Sequence, residues 1–119
     1  MAEVVITPEL IDKKRALTFL GNNEELYKSV LKEYLKENLE TPEKLRTAID
    51  EKRHSDAAEM LHKLKSSTGS IGATEVYKRA VSLHNAIREN DEAKIASEKD
   101  EFIDILRQLI EQLKRGSAV

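Results

Sequence analysis

Apolar residues recur at helical spacing in the middle of the chain. Between positions 57 and 71 they are separated by four, three, four and three residues, which places them on one stripe of an α-helix. The members of this stripe are the apolar Ala57, Leu61, Leu64 and Ile71, together with Thr68 in the same register. The pattern predicts a helix that buries one face in a core and exposes the opposite face to water.

Two further helices are predicted before this central one. Thr7-Pro8-Glu9 is typical of a helix start, and Gly21 is a stop signal. Either Asn22 or Asn23 then caps a second helix. Its apolar positions cover about half of the circumference. We call them the second-helix face, and they are Leu26, Tyr27, Val30, Leu31, Tyr34 and Leu35.

Two interpretations of the second-helix face are open. In the one that we favour, one flank packs in a helical bundle and the other lies under the first helix. In the alternative, part of the face is exposed and binds a partner protein.

The helix-start signal recurs at Thr41-Pro42-Glu43 and marks either a kink or a new helix. We favour a kinked continuation of the second helix. His54 is then expected in a connecting loop, with Ser55 or Asp56 capping the central helix. The inward positions between Thr41 and His54 are Leu45, Ala48 and Ile49.

The second half of the chain predicts two more helices. The central helix should end near Gly72, with Thr74 placed to cap the next helix. Asn90-Asp91 forms the turn before a last helix that runs from about Glu92 to Arg115. The inward positions of these two helices are Val76, Ala80, Leu83 and Ile87, followed by Ile95, Phe102, Leu106, Leu109 and Leu113.

Short connections between long helices favour antiparallel neighbours. We therefore predict an all-α fold, an antiparallel up-down-up-down four-helix bundle with an additional short N-terminal helix. A chain of 119 residues is long enough for one continuous core, so we expect a single domain over residues 1–119 with its core at about 7–115.

Composition narrows the classes of function. Twenty basic and twenty-two acidic residues give a net charge of -2, which does not favour nucleic-acid binding. Apolar runs are too short for a signal peptide or membrane insertion. The lack of cysteine excludes thiol catalysis and disulfides and is compatible with a reducing compartment, so we expect a cytoplasmic protein. No strong apolar excess points to an oligomer, and we expect a monomer.

The central helix should expose His62. This residue lies about 140° from the centre of the apolar stripe, so its imidazole should reach water. Lys65, Ser66 and Gly69 follow three, four and seven positions later and flank it on the same face. The ammonium of Lys65 is placed to neutralise an anionic group on His62, and Gly69 leaves open space.

The run His62-Lys63-Leu64-Lys65, followed by Gly69 and Gly72-Ala73, resembles the histidine-containing phosphotransfer (HPt) domain. The resemblance extends to residues 26–31 and to the helix after the motif, so it covers most of the chain. The family usually has glycine directly after the motif lysine, where this chain has Ser66. The serine hydroxyl either narrows the approach of a partner or hydrogen-bonds a phosphoryl oxygen, and the sequence leaves both open.

The resemblance implies a function in two-component signalling. His62 would accept a phosphoryl group from the aspartate of one receiver domain and pass it to another receiver. Lys65 would stabilise the phosphoryl charge, and Ser66, Gly69 and Gly72 would contact the partner. The domain would need no cofactor of its own, because the receiver would supply Mg²⁺.

The chain has no ATP-binding motif, so we expect a phosphocarrier without autonomous kinase activity, either free-standing or the terminal domain of a hybrid kinase. The alternative function is a non-catalytic adaptor that binds a partner through the second-helix face. The other histidines are expected to be structural: His84 lies at the margin of an apolar stripe, and a metal site built from all three would need convergence from separate elements.

Overall fold

The computed structural model describes residues 11–116, and this part of the chain contains six α-helices and no strand. The helices are α1 (Lys13–Phe19), α2 (Glu24–Asn38), α3 (Thr41–Asp50), α4 (His54–Ser70), α5 (Thr74–Arg88) and α6 (Glu92–Gly116). The all-α prediction is confirmed. The predicted helix start at Thr7-Pro8-Glu9 lies outside the described residues.

The core is built from the apolar stripes that the spacing predicts. All five members of the α4 stripe are buried, as are the predicted inward positions of α3, α5 and α6. Ile103 and Ile110 widen the buried face of α6 beyond the predicted set. Apolar burial of this kind is the main favourable term in folding, so it fixes which face of α4 remains for function.

Contacts between helices show two antiparallel pairs. Along α4 and α5, the His62 ring lies near that of His84, whereas Gly69, further along α4, faces Tyr77 near the start of α5. Along α3 and α6, Glu43 pairs with Arg107 and Asp50 pairs with Lys99. In both pairs, increasing residue numbers along one helix correspond to decreasing residue numbers along its neighbour.

The expected kinked continuation of the second helix is wrong, because α2 ends at Asn38 and α3 begins at Thr41. Pro42 has no backbone N–H and its ring obstructs the carbonyl four residues earlier, which interrupts the helical ladder. The buried Asn38 side chain stabilises the break: its Nδ2 donates to the Tyr34 carbonyl at 2.9 Å, and its Oδ1 accepts from the Thr41 hydroxyl at 2.9 Å.

The start of α4 also differs from the prediction. His54 is the first residue of the helix rather than a loop residue, and the N-cap is Arg53, which makes no side-chain cap bond. Nδ1 of His54 lies 3.1 Å from Oδ1 of Asn90, and Nε2 lies 3.7 Å from a carboxylate oxygen of Glu92. These contacts tie the beginning of α4 to the turn between α5 and α6.

The second-helix face is largely covered by the protein itself. Tyr27 and Tyr34 are buried, and Val30, Leu31 and Leu35 pack half-buried against the core. Leu26 is the exposed member, at 44%. This burial agrees with the interpretation in which the face packs within the bundle, and it leaves little of the face for a partner.

Two buried hydrogen bonds join α2 to the end of the central helix. The Tyr34 hydroxyl lies 2.9 Å from the Thr68 hydroxyl, and the Tyr27 hydroxyl donates to the Ile71 carbonyl at 3.2 Å. Because both partners lie at the C-terminal end of α4 or directly after it, these bonds hold the helix that carries His62 in a fixed position.

Candidate functional site

His62 projects from α4 into solvent between two buried leucines. Leu61 and Leu64 are at most 2% exposed, whereas His62 is exposed to solvent. The His62 ring makes no hydrogen bond with any residue from 11 to 116. Its nitrogen lone pair is therefore available to an incoming electrophile.

A groove of about 580 Å³ opens beside His62, and we call it the His62 groove. Four of the five residues predicted for the site line it together. The lining consists of His62, Lys65, Ser66, Gly69 and Ser70 from α4 and its end, with Phe19, Leu20 and Tyr77 as walls from neighbouring segments. The structure thus brings these side chains together, while their roles toward a partner stay predictions.

Lys65 supplies a positive charge at the edge of the groove. It is half-buried, one turn after His62, and forms no ion pair with the described residues. Since no carboxylate of the described chain neutralises it, its ammonium is available to an anion on His62.

Ser66 and Gly69 also line the groove. The Ser66 carbonyl accepts a hydrogen bond from the Ser70 hydroxyl at 2.9 Å, and the Ser66 side chain is exposed. A Cβ on Gly69 would lie 3.4 Å from Cδ1 of Tyr77. A larger side chain at position 69 would therefore fill the space between α4 and Tyr77.

Gly72 does not line the His62 groove but lines an adjacent pocket of about 380 Å³ that shares Phe19, Gly69 and Tyr77 with it. It adopts φ +84° at the end of α4, where its N–H donates to the Gly69 carbonyl and the Ala73 N–H donates to the Thr68 carbonyl. This pattern is a Schellman motif, which requires the left-handed backbone that glycine tolerates.

The same glycine also receives the start of the first helix. Its carbonyl accepts the Asp12 N–H at 2.6 Å, and a Cβ on Gly72 would collide with the Asp12 carbonyl and lie 3.1 Å from Cβ of Ala16. Thr74, expected as the cap of the next helix, is instead its first residue, after Ala73. A docking role for the buried Gly72 stays a prediction.

Sequence reasoning missed two apolar residues that border the groove. Phe19 is 72% exposed and Tyr77 is 40% exposed, both unusually high for aromatic side chains. Neither belongs to a buried stripe, so periodicity gave no signal for them. Their exposure beside His62 places apolar surface next to the histidine, and exposed apolar surface of this kind often marks a binding site.

His84 also belongs to this region. It is 5% exposed, and its ring centroid lies 6.1 Å from that of His62. Burial, together with the positive charges of Lys65 and Arg88 and the neighbouring His62, lowers the pKa of His84 below its ordinary value. The predicted structural histidine is thus buried directly behind the exposed one.

No group of three or more His, Cys, Asp or Glu side chains within residues 11–116 is arranged to hold a metal ion. None of the helices in this part of the chain is long and apolar enough to cross a lipid bilayer.

Comparison with known families identifies the family to which this chain belongs. The family model of the Hpt domain matches residues 29–116. No curated protein matches the chain significantly, and no solved structure does. Because the family match covers well over half of the sequence, the chain belongs to the Hpt domain family. Hpt domains are phosphocarriers of two-component phosphorelays and interact with receiver domains.

Proposed function

We propose that this protein accepts a phosphoryl group on His62 from the aspartyl phosphate of one receiver domain and passes it to the aspartate of another. The observation that carries the proposal is the placement of His62: exposed, without a hydrogen bond to the described residues, and beside a cation in an open groove.

The chemistry needs no base within this chain. A neutral ring nitrogen of His62 attacks phosphorus, a P–N bond forms, and the P–O bond to the receiver carboxylate breaks with its electron pair going to that oxygen. Positioning and charge stabilisation dominate such transfers. The receiver would contribute the acceptor or donor aspartate and its Mg²⁺.

Lys65 would screen the charge of the phosphorylated ring. For a partly exposed pair this is worth about 1 kcal/mol. Modest stabilisation suits a carrier, because an interaction that is equally strong before transfer and in the transition state does not accelerate transfer. Ser66 and Gly69 would lie under the docked partner, and Phe19 and Tyr77 would contact its apolar surface.

We also propose the setting in which this transfer occurs. The chain would act as a phosphocarrier without kinase activity of its own, as a monomer in the cytoplasm. The sequence supports this with its lack of an ATP-binding motif and of cysteine.

The test is transfer of a radioactive phosphoryl group from a phosphorylated receiver domain in the presence of Mg²⁺. The label should move to this protein and be acid-labile and base-stable. His62→Gln should abolish labelling with helicity retained, whereas His54→Gln, a change at a histidine outside the groove, should be labelled normally. Labelling of His62→Gln, or no transfer from any of several receivers, would contradict the proposal.

A further inference from the structure

His84 is a buried polar side chain with an unpaired nitrogen directly behind His62. The two ring centroids are 6.1 Å apart and the ring planes are inclined by 47°. Nδ1 of His84 is buried and has no hydrogen-bond partner among the described residues. An unpaired buried polar atom is costly, so its presence beside a reactive ring calls for an explanation.

The charged and titratable groups that face His84 come from two helices. His62 and Lys65 on α4 and Arg88 on its own helix disfavour a positive charge on the His84 ring. From α6, the side chains buried in the shared core are apolar, and the ion pair that joins α6 to α5 involves Arg79 and Glu101, about one and a half turns away. In the unphosphorylated protein these groups and the burial of the ring therefore lower the pKa of His84 and favour its neutral form.

Phosphorylation of His62 would reverse the electrostatic effect of this side chain on His84. A phosphoryl group carries a charge of about -1.5 to -2 at neutral pH. Placed on a ring whose centroid is 6.1 Å from that of His84, it favours the protonated form of His84 instead of opposing it.

We propose that His84 is a positioning residue that supports the His62 ring as a neutral group and takes up one proton when His62 carries a phosphoryl group. The proton comes from solvent and bonds to a ring nitrogen of His84, and no bond to phosphorus changes in this step. This inference rests on the proposed function. Because the phosphorylated state binds the additional proton, phosphorylation of His62 becomes more favourable as the pH falls through the titration range of His84.

The first experiment needs no phosphotransfer. The pKa of His84 is measured by NMR titration in the full chain carrying either His62→Glu or His62→Gln, with His54 as an internal reference. We expect the pKa of His84 to be higher by about 1 unit with the glutamate. Equal values for His84 in the two proteins would overturn the proposal.

The second experiment measures the equilibrium of phosphoryl transfer from a phosphorylated receiver between about pH 6 and pH 9. Relative to His84→Gln, the unsubstituted chain should gain about tenfold in its phosphorylation equilibrium toward low pH, the equivalent of one pKa unit. His54→Gln should follow the unsubstituted chain.

The outcomes separate the two proposals. Parallel pH profiles for the unsubstituted chain and His84→Gln would overturn the role of His84. A shift of the His84 pKa in the first experiment, with no label transferred in the second, would support the coupling between the two histidines and contradict the phosphorelay function. The first experiment retains His84, so it remains decisive if His84→Gln does not fold.

Discussion

The exposure of His62 depends on its position within a single turn of α4. The residues at positions 61 and 64 point into the core, and a shift by one position would bury the imidazole with them. Exposure alone does not make a histidine a phosphoryl acceptor. In the proposed function, the distinguishing features are the half-buried ammonium of Lys65, which would counter the charge of the phosphoryl group, and the open groove lined by Gly69, which would admit a partner.

Lys65→Ala should weaken the site without unfolding the protein. Lys65 has no ion-pair partner among residues 11–116, so its removal leaves no unpaired carboxylate in this part of the chain. We expect phosphoryl transfer to slow, or the phosphohistidine to decay faster, by about fivefold, which corresponds to about 1 kcal/mol. Rapid-quench transfer and decay assays measure the effect.

The matched control for this change is Lys63→Ala. Lys63 is an exposed lysine of the same helix that does not line the His62 groove, so its loss should leave transfer unchanged. A large fall in the melting temperature of the Lys65 variant would show that the side chain supports the fold instead of the phosphoryl group.

Gly69→Leu should prevent receiver docking by filling the His62 groove. The Cβ of an alanine would already contact Tyr77 at 3.4 Å, and the longer leucine side chain would occupy part of the groove that Gly69 and His62 both line. We expect the Kd for a receiver domain to rise at least about tenfold, a loss of about 1.4 kcal/mol, with helicity retained. Titration calorimetry measures the affinity, and Lys63→Leu adds the same bulk outside the groove. Equal affinities for the two variants would rule out the groove as the docking surface.

The turn between α4 and α5 is the element on which the site geometry depends. It closes the antiparallel pair, ends α4 through a Schellman motif, and receives the start of α1 through the bond from Asp12 to Gly72. Phe19, at the other end of α1, thereby reaches the wall of the His62 groove. A local backbone requirement at one glycine thus determines where an exposed aromatic ring lies.

Gly72→Ala should strongly destabilise the protein. The substitution forces an L-residue into φ +84° and drives its Cβ against the Asp12 carbonyl. We expect a loss of about 2–4 kcal/mol in the free energy of unfolding, measured by urea denaturation. Gly21→Ala is the control, because Gly21 has φ +65° but no atom within 4 Å of an added Cβ, and its cost should stay near about 1 kcal/mol. Equal losses would show that the packing of Asp12 on Gly72 contributes nothing.

Buried faces were predictable from the sequence because helical periodicity is a local property. The α4 stripe and the inward positions of α5 and α6 are all buried as predicted. Boundaries were less predictable: the break before Thr41 depends on the bonds of Asn38, and the start of α4 at His54 depends on contacts with the distant Asn90 and Glu92. Such side-chain contacts produce no periodic pattern in the sequence.

The candidate site also combines features that the sequence predicts with one that it does not. The flanking of His62 by Lys65, Ser66 and Gly69 follows from helical geometry alone. His84 could have been placed beside His62 from the turn, because each lies eleven positions from Ala73 and an antiparallel pair brings equidistant residues together. Its unpaired nitrogen could not have been predicted, since burial of a single atom depends on the packing of several helices.

The whole molecule is held together by its apolar core and by the tyrosines that fasten α2 to α4. The exposed ion pairs between α3 and α6 add little to stability in water. Burial raises the pKa of Tyr34 to about 12, although its hydrogen bond with Thr68 acts in the opposite direction. The free energy of unfolding should therefore depend on pH in the alkaline range through the ionisation of Tyr34.

The unfolded chain should release the Tyr34 proton near pH 10, whereas the folded protein retains it to about pH 12. Between these values the folded state binds more protons than the unfolded state, so the free energy of unfolding must fall as the pH rises. The contribution of Tyr34 is fully present below about pH 10, and about 2 kcal/mol is lost by pH 12. Urea denaturation from pH 8 to pH 11.5 measures the slope.

Tyr34→Phe separates this effect from the titration of lysines in the same range. The variant leaves the Thr68 hydroxyl without its partner, so it should be less stable by about 1–2 kcal/mol at pH 8. Above pH 10 its stability should fall less steeply than that of the unsubstituted chain, because the phenylalanine has no proton to release. The two curves should therefore converge, and curves that stay parallel to pH 11.5 would show that the buried hydroxyl does not control the alkaline stability of the bundle.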